Sequence, residues 1–165
     1  MAHHVNRIDR QLATRRRVPM NGRDTVHHLF CDLIGAARPG VNDLVVRFLR
    51  IDQHAETGAE LLVMERLYPL DYRTFEVEKR ELFLEVFEDE LKQLHKQGFV
   101  HRDIKRPPSE SGLPYDNVFL TTTGIRLIDV GIAALRSQVG DRVFEKYIES
   151  ELQELAAFKK YFIER

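Results

Sequence analysis

Four side chains between Asp103 and Asp129 are of the types that phosphate chemistry requires. Asp103 and Asp129 supply carboxylates, Lys105 supplies an ammonium group, and Asn117 supplies a side-chain amide. Carboxylate and amide oxygens are ligands that a hard cation such as Mg²⁺ prefers, and a positioned carboxylate also accepts protons as a general base. Brought together by the fold, these groups could hold a metal ion and neutralise the charge of a phosphate.

Two short apolar runs between Asn117 and Asp129 predict a β-hairpin. Val118–Leu120 and Ile125–Ile128 are β-prone, and a polar turn of three threonines and one glycine separates them. A hairpin returns the chain to the place where it began. We therefore expect Asp129 to lie near Asn117 and Asp103.

The helix before this stretch is predicted over Glu78–Gly98, where apolar residues recur at helical spacing and Glu and Lys dominate the other face. Gly98 is placed to end the helix just before His101. The predicted apolar stripe and its flanking residues are Phe83, Phe87, Leu91, Leu94, Leu82 and Val86.

A second amphipathic helix is predicted after the hairpin, over Asp141–Ile163, with Asp141 as a candidate N-cap. The pattern leaves two interpretations open: the apolar face packs within the chain, or it forms the interface of a homodimer. The residues on or near that face are Val143, Phe144, Tyr147, Ile148, Leu152, Leu155, Phe158 and Phe162.

The first half of the chain predicts one helix and two strands. Helical spacing covers Arg23–Ala37, and an Arg-Pro-Gly sequence stops it. Leu44–Ile51 and Glu60–Leu67 are predicted as strands that pair in a hairpin across the polar turn Asp52–Gly58.

Composition indicates one globular domain with a substantial core, because 43% of the 165 residues are hydrophobic. Cys31 is the only cysteine, so an internal disulfide is excluded. No apolar run reaches membrane-spanning length and the N-terminus lacks a secretory pattern, so we expect a cytoplasmic protein.

The net charge of −1 points to neither nucleic acid nor a membrane as a partner. The first 50 residues carry nine Arg and four Asp, a balance of +5. We interpret residues 1–21 as an exposed basic arm; an acidic partner for this arm is the alternative.

The stretch that begins at His101 resembles the protein-kinase superfamily, whose catalytic loop reads H-R-D-L-x-x-x-N and is followed by D-F-G. Here the sequence reads HRDIK, then DNVFLTTTGIRLIDVG, with DVG in place of DFG. The resemblance implies that Asp103 is the base for a substrate hydroxyl and that Asn117 and Asp129 hold Mg²⁺ ions on the ATP phosphates. It also implies that Lys105 neutralises charge on the transferred phosphoryl group.

Other residues take roles from the same resemblance. His101 and Arg102 belong to the catalytic loop, and Met64-Glu65-Arg66-Leu67 resembles the hinge whose backbone groups hold adenine. On this basis Glu65 and Leu67, together with Lys105 and Asn117, are candidate nucleotide-binding residues.

The chain departs from the family pattern in several places. Asn117 follows Asp103 by 14 residues instead of five, which implies a surface loop inserted within 106–116. No activation loop or A-P-E motif follows Gly131, so Arg102 has no evident phosphorylated residue to bind; such a reduced chain is more similar to small atypical kinases of the RIO type.

The phosphate-binding parts of the first lobe also differ. No Gly-rich loop precedes Gly35, and the first lysine is Lys79, so the strand lysine and its glutamate partner are missing. Arginine and aspartate could substitute, although the arginine fork is not equivalent to an ammonium group. The candidates are Arg17 or Arg23, and Asp24 or Asp32.

Taken together, the sequence predicts an α+β protein with a reduced protein-kinase-like fold. A small antiparallel N-lobe remnant would occupy residues 22–67 and a mainly helical C-lobe residues 68–165, in one domain. The predicted function is ATP- and Mg²⁺-dependent phosphoryl transfer to a hydroxyl group, with a protein Ser or Thr as the substrate. The alternatives are a pseudokinase that acts as a binding or scaffold module, with a protein partner, and a metal-dependent hydrolase using Asp103 and Asp129.

Overall fold

The computed structural model describes residues 43–106 and 113–165. Several predictions lie outside the described residues. They are the helix Arg23–Ala37, the basic arm 1–21, and the residues proposed to replace the missing lysine and glutamate (Arg17, Arg23, Asp24 and Asp32). Within the described residues the chain is a mixture of α-helices and small antiparallel sheets, so the α+β class is confirmed. No helix of this part is long and apolar enough to cross a membrane.

The described residues belong to two compact units. The first contains a two-stranded antiparallel sheet in which β1 (Phe48–Gln53) pairs with β2 (Glu60–Met64). The turn between them is closed by hydrogen bonds from the His54 N–H to the Ala59 carbonyl and from the Gly58 N–H to the His54 carbonyl, both 2.8 Å. The predicted pairing is thus confirmed, although both strands are shorter or shifted relative to the prediction.

The second unit contains residues 43–47 and Glu65–Arg165. Its helices are α1 (Val77–Lys96), the short α2 (Arg136–Val139) and α3 (Asp141–Glu164). Its strands are β3 (Phe99–Val100), β4 (Val118–Thr121), β5 (Gly124–Leu127) and β6 (Ala134–Leu135). A single 3-10 turn, Tyr72–Thr74, precedes α1.

Both pairs of strands in the second unit are antiparallel. β4 and β5 form the predicted hairpin, with Val118 opposite Leu127, and β3 pairs with β6. Leu120, Ile125 and Leu127 of the hairpin are buried, so its apolar runs face the core as the pattern requires.

The prediction of one strand over Leu44–Ile51 is wrong. Residues before Phe48 align in parallel with β5: the Val46 N–H donates to the Leu127 carbonyl (2.8 Å), and the Leu127 N–H donates to the Leu44 carbonyl (2.7 Å). β1 begins only at Phe48, with a different partner. One apolar run therefore serves two sheets, and a hydrophobic pattern alone does not reveal where a strand changes partner.

The core of the second unit lies between α1 and α3. Phe87 of α1 meets Phe158 of α3 edge to face, with ring centroids 5.7 Å apart. In the predicted stripe of α1, Phe87, Leu91 and Leu94 are buried and Phe83 is half-buried, whereas the flanking Leu82 and Val86 are 61% and 54% exposed. The residues that α1 buries are Arg80, Leu84, Phe87, Leu91, Leu94 and His95.

Helix α3 packs most of its apolar face within the chain, against α1, α2 and β3, whereas Val143 (39%) and Leu152 (37%) of the predicted face are exposed. Its fully or nearly buried residues are Phe144, Glu151, Leu155, Phe158 and Phe162. Gly140, with φ +77°, is the N-cap, so the prediction of Asp141 in that position is wrong and Asp141 is the first helical residue. A carboxylate there still suits the positive end of the helix dipole.

Candidate functional site

The hairpin brings Asp103 and Asn117 into direct contact. Asn117 lies at the start of β4 and is buried, and its carbonyl accepts a hydrogen bond from the Ile128 N–H at 3.0 Å. Its side-chain Nδ2 donates to Oδ2 of Asp103 at 2.8 Å and to the Asp103 carbonyl at 3.0 Å. Asp129 directly follows the Ile128 end of the hairpin, so the polar side chains gather at one end of it.

The Asp103 carboxylate has an environment suited to a proton acceptor. It is half-buried, and burial raises its pKa, while His101 and the hydrogen bond from Asn117 act in the opposite direction. The negative charge of Asp129 adds to the increase, which means that the two carboxylates are close enough to interact. A carboxylate with a raised pKa accepts a proton more readily than an ordinary aspartate does.

Asp129 has an unusual backbone conformation. Its φ is +59°, in the left-handed region that non-glycine residues rarely adopt. Its Oδ1 accepts a long hydrogen bond of 3.3 Å from the Gly131 N–H, and a Cβ on Gly131 would lie only 3.0 Å from that oxygen. Gly131 therefore allows the backbone to approach the carboxylate closely.

His101 supports the site from inside the core. Its side chain is fully buried, and Nε2 lies 2.9 Å from the Ile128 carbonyl, which can only accept, so Nε2 carries the proton. Burial lowers the pKa of His101, which favours the neutral ring. The predicted catalytic-loop histidine thus ties this loop to the residue before Asp129.

Arg102 makes contacts within the chain. Its φ is +69°, its Nη1 donates to the Ile132 carbonyl at 2.9 Å, and its guanidinium lies 3.9 Å from the centre of the Tyr147 ring. These contacts link the loop that carries Asp103 to the segment after Asp129 and to α3. The guanidinium is thus engaged by groups of the chain itself.

Glu151 is a residue of this site that the sequence analysis missed. It is completely buried on α3, and its Oε1 accepts hydrogen bonds from the backbone N–H groups of His101 (2.9 Å) and Arg102 (2.8 Å). Its Oε2 lies 2.6 Å from Nε2 of His95 on α1. The available signal was its position: Glu151 occupies the helical spacing of the apolar face between Ile148 and Leu155.

Contacts between Arg106 and residues 114–116 close the base of the segment between them. The Arg106 N–H donates to the Pro114 carbonyl at 2.8 Å, and Arg106 Nε donates to Oδ1 of Asp116 at 2.7 Å. The Arg106 side chain is only 5% exposed. Residues 107–112 lie outside the described part, but these contacts explain how Asn117 meets Asp103 despite the 14-residue interval.

The remaining candidate residues are more dispersed. The Lys105 side chain is exposed next to Asp103 in the chain. Oε1 of Glu65 accepts bonds from the Arg47 N–H (2.8 Å) and from the Arg126 guanidinium, so this side chain has a structural role. Within the described residues the backbone of Leu67 has no backbone hydrogen-bond partner.

The donor set at the hairpin end fits Mg²⁺. Both N–H bonds of the Asn117 amide go to Asp103, which leaves its carbonyl oxygen for a cation, and Asp129 adds carboxylate oxygens. Residues 43–106 and 113–165 contain no group of three His, Cys, Asp or Glu side chains that could hold a metal. Magnesium is commonly bound through one or two protein carboxylates together with substrate phosphates, so a two-residue set is compatible with it.

Comparison of the sequence with protein-family models gives no match, and comparison with curated proteins gives no significant one.

Proposed function

We propose that this chain is a reduced protein-kinase-like phosphotransferase that uses ATP and Mg²⁺ and transfers a phosphoryl group to a hydroxyl group, with a protein Ser or Thr as the substrate. The single observation that most supports the proposal is the contact between Asn117 Nδ2 and Asp103 Oδ2 at 2.8 Å. It joins the presumed base to the presumed metal ligand across a 14-residue interval.

Each residue of the site has a task that its environment supports. Asp103, with a pKa raised by burial, accepts the proton of the substrate hydroxyl, and the Asn117 amide fixes the orientation of its carboxylate. The exposed Lys105 neutralises charge on the phosphoryl group. His101 and Arg102 hold the loop against the segment that carries Asp129.

Asn117 and Asp129 would hold Mg²⁺, which neutralises the negative charge of the ATP phosphates when it is bound. The Leu67 N–H would donate a hydrogen bond to adenine, and the carbonyl groups of Glu65 and Leu67 would accept hydrogen bonds from it. Positioning and charge neutralisation supply most of the catalysis in phosphoryl transfer, and these are the contributions that the residues named here would make.

The first test is calorimetry of ATP binding with and without Mg²⁺ for wild type, Asp129→Ala and the control Asp89→Ala. Asp89 is an exposed aspartate of α1. We expect Mg²⁺-dependent binding that Asp129→Ala abolishes and Asp89→Ala retains. Absence of binding at millimolar ATP by folded wild-type protein would contradict the proposal.

A second candidate function is that of a pseudokinase, a binding module that retains the site without transferring phosphate. The observation that favours it is the absence of any lysine before Lys79, which removes the usual strand lysine. Transfer of labelled phosphate from ATP to a mixture of protein substrates separates the two candidates. Mg²⁺-dependent binding without any transfer would favour the pseudokinase, and the transfer reaction would exclude it.

A further inference from the structure

A second carboxylate of α3 contacts the loop that carries Asp103. Oε2 of Glu154 accepts hydrogen bonds from the backbone N–H groups of Ile104 and Lys105, both at 3.1 Å. Ile104 is completely buried, so this part of the loop is fixed by its side chain as well as by its backbone. Glu154 is half-buried, and it did not stand out in the sequence from the other glutamates of the helix.

The two carboxylates of α3 hold the loop on both sides of Asp103. Glu151 accepts the N–H groups of the two residues before Asp103, and Glu154 accepts the N–H groups of the two residues after it. Glu151 and Glu154 are three residues apart, so they lie on the same face of the helix. A helix is rigid, and these four bonds therefore fix the loop to a rigid support.

We propose that Glu154 is a positioning residue, which fixes the turn from Asp103 to Lys105 through its two N–H bonds and so sets the carboxylate of Asp103 against Asn117. This inference depends on the proposed function only in that Asp103 is taken as the base. The hydrogen bonds from Ile104 and Lys105 to Glu154 would fix the loop whatever reaction the site performs.

The electrostatics of Glu154 argue for a specific role over an incidental surface contact. Burial raises its pKa, and the neighbouring carboxylates of Glu151 and Asp103 raise it further, while the bonds from Lys105 and Ile104 lower it. The half-buried position disfavours the charged form of Glu154, and the two N–H groups stabilise that form. Hydrogen bonds to a carboxylate are stronger than those between neutral groups, so Glu154 fixes the loop more firmly than a neutral acceptor would.

Amide hydrogen exchange followed by NMR tests the proposal without relying on enzymatic activity. The variants are Glu154→Ala, which removes the acceptor, Glu154→Gln, which keeps an acceptor oxygen without charge, and Glu149→Ala. Glu149 is an exposed glutamate of the same helix and serves as the matched control. We expect exchange at Ile104 and Lys105 to accelerate by about a hundredfold in Glu154→Ala and by about tenfold in Glu154→Gln, with no change in the control.

The second readout is the side-chain amide signal of Asn117, which reports its bond to Asp103. We expect that signal to shift in Glu154→Ala and to stay in place in Glu149→Ala. Equal exchange at Ile104 and Lys105 in all three variants, or a uniform acceleration along the whole of α3, would overturn the proposal. If Glu154→Ala does not fold, the Gln variant decides by the same two readouts.

Activity then separates this proposal from the proposed function. Where wild type transfers phosphate, Glu154→Ala should lower kcat by about tenfold or more with little change in the KM for ATP, because a small misplacement of a catalytic group is costly. Faster exchange with unchanged kcat would contradict the positioning role. Faster exchange and a shifted Asn117 signal in a protein without activity would support the loop contact and contradict the proposed function alone.

Discussion

Asp103 is the residue on which the proposed chemistry depends, and its environment predicts a particular pH dependence. A general base works in its deprotonated form, and burial raises the pKa of Asp103. The rate should therefore fall as the pH drops through this raised pKa, at a higher pH than for an ordinary aspartate. The measurement is kcat/KM for phosphoryl transfer as a function of pH, with the stability of the protein checked at each pH.

The matching variant is Asp103→Asn, which keeps an acceptor oxygen for Asn117 but loses the basic group. We expect kcat to fall by about a hundredfold or more, the contribution typical of a general base, and the acid limb of the pH profile to disappear. Asp89→Asn, on an exposed surface, is the control. A pH profile that keeps the same acid limb in Asp103→Asn would show that another group is the base.

Arg102 gives a second prediction at the scale of single residues. Its guanidinium lies 3.9 Å from the centre of the half-buried Tyr147 ring, whereas Arg66 lies 5.4 Å from the ring of Tyr68, which is 68% exposed. A double-mutant cycle with Arg102→Ala and Tyr147→Leu should give a coupling of about 1 kcal/mol in urea unfolding. The cycle with Arg66→Ala and Tyr68→Leu should give less than about 0.5 kcal/mol.

Equal coupling in the two cycles would contradict this description of Arg102. A larger coupling free energy in the Arg102 cycle would support the conclusion that groups of the chain itself engage this guanidinium. Phosphatase treatment should then leave any transfer activity unchanged, because no phosphorylated residue is needed to engage Arg102.

The residues that sequence analysis missed share a physical explanation. Glu151 and Glu154 lie in a helix rich in glutamate, where most such side chains are solvated, and a pattern of polar residues does not show which of them meets a backbone N–H. Asp103, Asn117 and Asp129 were predicted as site residues because a motif of ordered residue types marks them. Partners of backbone groups leave no comparable motif.

At the scale of the elements, the end of α1 sets where the loop that carries Asp103 begins. Gly98 has φ +85°, its N–H bonds to the His95 carbonyl at 3.0 Å, and a Cβ there would lie 3.3 Å from Cβ of Arg136. Gly98→Ala should therefore destabilise the protein by about 2 kcal/mol, through the left-handed backbone and the crowding of Arg136. Thermal or urea unfolding measures this loss.

The variant for comparison is Gly58→Ala, in the turn between β1 and β2. Gly58 has φ +65°, and a Cβ there would meet nothing within 4 Å. It should lose only the backbone contribution, about 1 kcal/mol. If both variants lose the same free energy, crowding against Arg136 contributes nothing.

The elements also show what an apolar pattern can and cannot predict. The hairpin β4–β5 and the two long helices were predicted within a few residues, because alternation and helical spacing depend on local geometry. The run from Leu44 was predicted as one strand and pairs with two partners, since pairing is decided by distant residues. Leu82 and Val86 are similarly apolar in sequence yet exposed, because the position of α3 decides which face of α1 is buried.

At the scale of the whole molecule, Glu151 connects several parts of the second unit. This carboxylate of α3 contacts His95 at the end of α1 and the backbone N–H groups of His101 and Arg102 in the loop that carries Asp103. The three parts that form the site therefore share one buried acceptor. Stability of the unit and geometry of the site should depend on it together.

This arrangement predicts that Glu151→Ala costs about 3–5 kcal/mol, because it leaves buried N–H groups and His95 without their acceptor. Since domains are commonly stable by only 5–15 kcal/mol, the second unit should be close to unfolding. Glu151→Gln keeps an acceptor oxygen and should lose less, while the exposed Glu149→Ala should stay within about 0.5 kcal/mol of wild type.

Tyrosine fluorescence is a selective probe for this experiment. The chain has no tryptophan, and all five tyrosines, at positions 68, 72, 115, 147 and 161, belong to the second unit. A urea transition followed by tyrosine emission thus reports the second unit alone. A transition for Glu151→Ala at the same urea concentration as for Glu149→Ala would contradict a central role of Glu151; a large shift to lower urea would show that the carboxylate that holds the backbone of His101 and Arg102 also stabilises the second unit.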